Sequence, residues 1–250
     1  MNQIQIIKYP DTNKPYAVIY KPAGLASAPL NNSDNENALS QAIKLIPELQ
    51  QVKGRKEIEH GLIHRLDTAT SGLMLIAQSQ ECYDELIKLQ QQNKITKSYY
   101  AICNNLPKQI QDAEGFPEQH FNLNKKSFEI TSYFRAWGPG RKEVRPVTKE
   151  SGMAALKKLE KPVLYSTNIN ILEIDSEQKQ AKVLCKITNG YRHQVRCHLA
   201  WCGLPVMYDK IYNPLVNEKS AEAMRFCACN IEFEYPRGDL NSYDRKDTWT

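Results

Sequence analysis

The chain has 250 residues, of which 41% are apolar and 24% charged, with a formal net charge of +5. These proportions exclude a disordered or fibrous polymer, and the mild basic bias permits a polyanionic partner without requiring one. No run of about 18 apolar residues occurs, which excludes a membrane-spanning helix. The start MNQIQIIKYPDTNK lacks the basic-then-apolar order of a signal peptide, and the seven cysteines, an odd number, read as reduced thiols of a cytoplasmic protein.

In chain order, PYAVIYKP (residues 15–22) predicts a strand ended by a Pro-Ala-Gly turn. Residues 35–49 have helical spacing, with Leu39, Ala42, Ile43 and Ile46 on one face, and residues 50–60 read as a polar loop. Residues 71–77 are almost wholly apolar, as in a strand covered on both faces. Ser79 suits a helix cap, with Glu81 in the first turn and Cys82, Leu86 and Leu89 as the buried stripe.

Residues 97–103 predict the next strand, and residues 104–127 a connecting loop. Two hairpins come next, FEITSYFRAW with VRPVT, and residues 166–174 with 181–187. Residues 191–201 fit a helix, and residues 226–235 a final strand. Strands outnumber helices and several are hairpin neighbours. The expected class is α/β (α+β), a mixed, mostly antiparallel central sheet flanked by helices. Without a sharp linker, residues 1–250 read as a single domain with its core at about 15–236.

The stretch GLIHRLDTATSGLMLIA (residues 61–77) sets a carboxylate, Asp67, between a basic pair, His64 and Arg65, and the apolar strand. An aspartate beside Thr68 and Thr70 suffices to cap a turn. A loop that feeds straight into a buried strand is also held rigidly, as a catalytic group requires. His64 and Arg65 suit polar or anionic ligands, and Gly61 and Gly72 allow tight turns at both ends. The residues alone leave both readings open.

HRLDTATSGLMLIA resembles the signature of the pseudouridine synthases, in the branch typified by the ribosomal large-subunit pseudouridine synthase A: H-R-L-D, two variable positions, T-S-G-L, then an apolar strand. YKPAGL (20–25), KSYYAI (97–102) and GYRHQVRCHLAWCGLPVMYD (190–209) resemble further blocks of that family in the same order, so the likeness runs from about residue 19 to 236. It implies an isomerase that converts a specific uridine of ribosomal or transfer RNA to pseudouridine, with no cofactor and no metal. It assigns the catalytic carboxylate to Asp67, with Tyr99 against the uracil ring and Arg196 as the cation that keeps Asp67 ionised. It also implies that Arg65 fills the gap left by the extruded base. His64, Lys97, Arg192, His193 and Gln194 are the other expected RNA contacts.

Read as a helix, residues 191–201 set Arg192 and Arg196 four apart on one face, a pattern that a solvated basic stripe shares. Tyr99 alternates with Lys97 on a strand, where a lone tyrosine is ordinarily core.

Three departures stand out. The family's G-R-x-H-Q is here Gly190-Tyr191-Arg192-His193-Gln194, Tyr208 replaces a glycine before Asp209, and Cys227 stands where histidine is frequent. They bear on RNA contacts and packing, not on Asp67, Tyr99 or Arg196. The chain is expected to begin at the catalytic core, without the small N-terminal RNA-binding domain that many relatives carry. Target selection is therefore expected from the core's own basic residues (the KGRK run at 53–56, Lys94, Lys97, Arg141, Lys142 and Arg145) or from a partner, in a monomer.

Two alternatives remain. One is a catalytically inactive RNA-binding or ribosome-assembly protein. The other is a metal-dependent hydrolase on His193, Cys197, His198 and Cys202, which the spacing disfavours: the histidines are five apart and no Cys-x-x-Cys pair occurs.

Overall fold

The computed structural model describes all residues except 1–2, 32, 35, 107–113, 119–120, 160–161, 218, 246, 248 and 250. In chain order the elements are β1 (Gln5–Lys8), β2 (Tyr16–Lys21), α1 (Ala38–Leu45), β3 (Ser71–Ala77), α2 (Gln80–Gln91), β4 (Thr96–Asn104), β5 (Ser127–Trp137), β6 (Glu143–Val147), α3 (Met153–Leu156), β7 (Tyr165–Asp175), β8 (Gln180–Ile187), α4 (Gln194–Trp201), β9 (Phe226–Glu234) and β10 (Leu240–Asp244). The class is mixed α/β with mostly antiparallel strand pairing. By its contacts the chain divides into two compact units, Met1–Ser98 with Cys227–Thr250, and Tyr99–Phe226, where the sequence reads as one domain. No helix among the described residues is long and apolar enough to cross a membrane.

In the first unit the strands run β1, β2, β3, β9, with β10 paired to β9. β2 and β3 are antiparallel, from Tyr16 opposite Ala77 to Lys21 opposite Gly72. β3 is parallel to β9, with Ser71 opposite Cys227 and Gly72 opposite Ala228. All seven residues of β3 are buried, as its unbroken apolar run predicts. Tyr16, Val18, Leu73, Leu75 and Phe233 form the core with Cys82, Tyr83 and Leu86 of α2. The expected cap is present: the Ser79 hydroxyl accepts from the Cys82 N–H at 3.2 Å.

Two elements of this unit differ from expectation. α1 stops at Leu45, and Ile46 leaves the helical region (φ −138°, ψ 82°). Pro47 causes this, because a residue before proline is pushed out of the helical region. β9 is not the last strand. The polar segment LNSYD returns antiparallel as β10, from Leu240 opposite Glu234 to Asp244 opposite Asn230. A strand at this edge lacks the apolar alternation by which sequence patterns reveal strands.

In the second unit β8, β7, β5 and β6 are successive antiparallel neighbours, and β4 lies beside β8. Both expected hairpins are there. α4 is buried along all eight residues, with Cys197 and Ala200 in a core with Phe134, Val144, Tyr165 and Tyr212. The helix expected over 191–201 begins only at Gln194, because His193 takes a left-handed conformation (φ 57°, ψ 11°). Arg192 and Arg196 therefore do not share a helix face.

Candidate active site

The loop that carries Asp67 is pinned by Lys21, Gly24 and Ser27, which lie in the K-P-A-G-L segment and just beyond it. The Lys21 ammonium, wholly buried, donates to the carbonyls of Leu25 at 2.7 Å and Thr68 at 3.3 Å. The Gly24 N–H donates to the Thr68 carbonyl at 2.8 Å. The Ser27 hydroxyl both accepts from the Leu66 N–H at 2.9 Å and donates to the Leu66 carbonyl at 2.6 Å. Within the loop, the Thr70 N–H donates to the Asp67 carbonyl at 3.0 Å. Together these ties hold the backbone on both sides of Asp67, which is half-buried, in a fixed loop.

The charges around the loop are unequal in their surroundings. Burial pulls Lys21 down to about 8, opposed by the nearby charge of Asp67. Lys97 at the start of β4 is 5% exposed and is also pulled down to about 8 by burial. His64 is driven down to about 3, first by burial and then by the charge of Lys97, so it is a neutral imidazole. Among the described residues its buried Nε2 has no hydrogen-bond partner, and neither has the Thr70 hydroxyl on the far side of Asp67 in sequence. Arg65 points outward, with its guanidinium 3.2 Å from the Glu59 carboxylate.

In the second unit, Tyr99 is buried and its ring is stacked on Phe226, with centroids 5.2 Å apart and planes 11° from parallel. Arg196 is also buried. Its guanidinium meets both carboxylate oxygens of Asp209, Nε to Oδ2 at 2.8 Å and Nη2 to Oδ1 at 2.8 Å. Burial alone would raise the Asp209 carboxyl. The charge and hydrogen bonds of Arg196, with the N–H groups of Ile211 and Tyr212, outweigh burial and hold it below its usual value.

The remaining expected RNA contacts of this unit are hydrogen-bonded within it, with Arg192 exposed, His193 half-buried and Gln194 buried. Arg192 donates to the carbonyls of Arg141 at 2.8 Å and Glu143 at 3.1 Å, bracing the turn between β5 and β6. His193 meets the Tyr212 hydroxyl through Nδ1 at 3.0 Å. Gln194 is buried, donating to the Ser166 carbonyl and the Thr167 hydroxyl and accepting from the Tyr191 N–H. Tyr191, which stands where the family has arginine, stacks on Phe134 with centroids 5.1 Å apart. His198 is a core histidine, with hydroxyls of Ser132 and Thr167 each 2.9 Å from a ring nitrogen.

Sequence reasoning missed Lys21, Ser27 and Asp209 as supports. Lys21 and Asp209 lie inside quoted motifs, and nothing in the motif letters says which side chain they hold. Tyr208, in the place of a family glycine, takes the left-handed conformation that a glycine there would suit (φ 63°), with its ring 5.6 Å from the Arg225 guanidinium.

A carboxylate on a pinned loop, beside buried lysines and a neutral imidazole, suits nucleophilic or proton-transfer chemistry on a polar, anionic substrate. Residues 15–201 match the family described as RNA pseudouridylate synthase. The chain belongs to that family. It is 26% identical over 223 residues to a protein of Aquifex aeolicus named as an uncharacterized RNA pseudouridine synthase, covering 89% of this chain and 61% of that one. It is 26% identical over 198 residues to the ribosomal large subunit pseudouridine synthase D of Neisseria meningitidis serogroup B, covering 79% of this chain and 44% of that one. The chain thus spans about half the length of these curated relatives. Among solved structures, human RNA pseudouridylate synthase domain containing 1 shares the fold, with a TM-score of 0.67 at 18% identity over 100% of this chain and 85% of that one.

Proposed function

We propose that this member of the RNA pseudouridylate synthase family isomerises a specific uridine of RNA to pseudouridine, with Asp67 as the catalytic carboxylate. The observation that carries the reading is the immobilised H-R-L-D loop, whose backbone is tied down at Leu66 and Thr68 by Ser27, Gly24 and Lys21. A nucleophile that must meet one carbon of a bound sugar or base needs this restraint. The N1–C1′ bond breaks, the uracil turns, and C5 joins C1′, with the C5 proton released to solvent and a proton taken up at N1. The family pattern gives Tyr99 the uracil ring and Arg196 the carboxylate as their partners.

Arg65 is the candidate to occupy the gap left by the extruded base, since it is exposed and held by a surface ion pair, which is worth little. Lys97 and His64 are the further candidates for RNA contact. Arg192, which is exposed, and His193 remain candidates for RNA contact, while Gln194 is buried and braces the turn before α4. The motif pattern favours the branch typified by the large-subunit synthase A, while the named large-subunit relatives are of the D type. Both names favour ribosomal RNA as the first substrate to test.

The test is tritium release from RNA labelled at uracil C5, with wild-type protein and Asp67→Ala in parallel. Release by wild type alone supports both the reaction and the nucleophile. RNA binding without release, on RNA from a strain lacking the gene, would instead favour the catalytically inactive RNA-binding reading.

A further inference from the structure

Beyond β10, Arg245 and Asp247 contact strands of the first unit's sheet, outside residues 15–201 that match the family. The Arg245 N–H donates to the Cys229 carbonyl of β9 at 2.8 Å. Its guanidinium reaches Gln5 Oε1 of β1 at 3.1 Å and lies 5.6 Å from the Tyr20 ring of β2. Two residues on, the Asp247 carboxylate accepts from two hydroxyls: Ser71 of β3, at 2.5 Å to Oδ2, and Tyr20 of β2, to Oδ1. One side chain thus ties β2 to β3.

The place of that tie matters. Ser71 is the residue at which the Asp67 loop becomes β3. Tyr20 precedes Lys21, whose ammonium holds the loop from the other direction through the Thr68 carbonyl. β2 and β3 are antiparallel, with Lys21 opposite Gly72, so Tyr20 and Ser71 stand together at the loop-bearing end. Hydrogen bonds to an ionised acceptor are shorter and stronger than neutral ones. The carboxylate of Asp247 therefore clamps the joint from which Asp67 is hung.

We propose that Asp247 is a positioning residue for Asp67: through Ser71 and Tyr20 it fixes the joint between β2, β3 and the catalytic loop. The inference rests on the reading of Asp67 as the catalytic carboxylate. Catalytic groups need placement to a fraction of an ångström, and misplacement by about 1 Å costs on the order of a hundredfold in rate.

The test uses the full chain, with kcat and KM for RNA measured by tritium release, and the melting temperature measured beside them. Asp247→Ala is expected to lower kcat about tenfold or more while KM stays within about twofold. Ser71→Ala is expected to do the same, and the double variant to lose no more than the worse single, because both remove one tie. Tyr20→Phe, which breaks the same tie at its other end, is the variant to use should Asp247→Ala melt below the assay temperature; it is likewise expected to lower kcat about tenfold. A folded Asp247→Ala or Tyr20→Phe with wild-type kcat overturns the proposal, as does full additivity of Asp247→Ala with Ser71→Ala. A wild-type protein no more active than Asp67→Ala would instead overturn the reading on which the proposal rests.

Discussion

The guanidinium of Arg196 and the carboxylate of Asp209 form a buried, two-pronged ion pair, with both bonds at 2.8 Å and neither residue more than 3% exposed. A pair of this kind offsets the cost of taking two charges out of water only while both partners are present. Asp209→Ala leaves a buried guanidinium without this carboxylate and is expected to cost about 3–5 kcal/mol of stability. Urea unfolding measures it. Exchanging both residues for apolar ones of similar volume, Arg196→Met with Asp209→Leu, is expected to recover most of that loss while abolishing tritium release. A double variant as unstable as Asp209→Ala would mean that the pair's hydrogen bonds to Ile211 and Tyr212, not its charge balance, hold this region.

Acid should unfold the protein earlier than its carboxylates alone dictate. His64 and His198 are both held down to about 3 by burial. Each is neutral in the fold and titrates in the unfolded chain near 6.5. Between those values the unfolded chain binds more protons, so stability rises with pH and is lost as pH falls from about 6.5 toward 3. Each histidine accounts for about 1.4 kcal/mol per pH unit within that window. Thermal melts of wild type and His198→Gln from pH 7 to 4 should diverge, with the shallower slope in the variant. Parallel slopes would show that His198 accepts a proton in place.

The opposite limb belongs to two lysines. Lys21 and Lys97 are both pulled down to about 8, first by burial. Between about 8 and the unfolded value near 10.4 the unfolded chain again holds more protons, so these groups make stability rise with pH across that range. Lys97→Met should therefore be more stable than wild type at pH 7, and the gap should close by pH 10. If Lys97 also contacts RNA through its charge, affinity for RNA should fall above pH 8 in wild type and not in Lys97→Met. An RNA affinity that declines equally in both proteins would remove Lys97 from the contact.

Much of the fold is readable because its elements carry their own signals. The unbroken apolar run of β3, the Ser79 cap and the two hairpins all rest on local patterns of burial and turn chemistry. The parts that are not readable depend on partners far away in sequence or on backbone conformations that residue type does not announce. Nothing local marks His193 as left-handed; its neighbours are committed to Phe134, Arg141 and Ser166, each more than 20 residues distant. The motif letters locate Asp67 and Arg196. They do not reveal that Arg196 pairs with Asp209, nor that Lys21 and Ser27 hold the loop, because a motif records which residues recur and not which atoms meet.

Gly72 of the T-S-G-L motif offers a prediction in which two effects can be separated. Its φ is +131°, and a Cβ there would sit 2.4 Å from the Ala228 carbonyl oxygen, 2.5 Å from its nitrogen and 2.6 Å from its Cβ. Backbone atoms of a central strand cannot move aside cheaply, so Gly72→Ala must force β3 away from β9, where Gly72 and Ala228 are direct neighbours. Gly152 is the control, since it also has a positive φ, +79°, but nothing lies within 4 Å of an added Cβ. Gly152→Ala should cost only the conformational strain, about 1–2 kcal/mol. Gly72→Ala should cost more than about 3 kcal/mol, in the range reserved for overpacked cores and broken backbone geometry. It should also reduce tritium release per folded molecule, because the displaced strand carries Ser71 and the loop bearing Asp67. Equal losses for the two variants in urea unfolding would mean that the β3–β9 contact yields more readily than its spacing suggests.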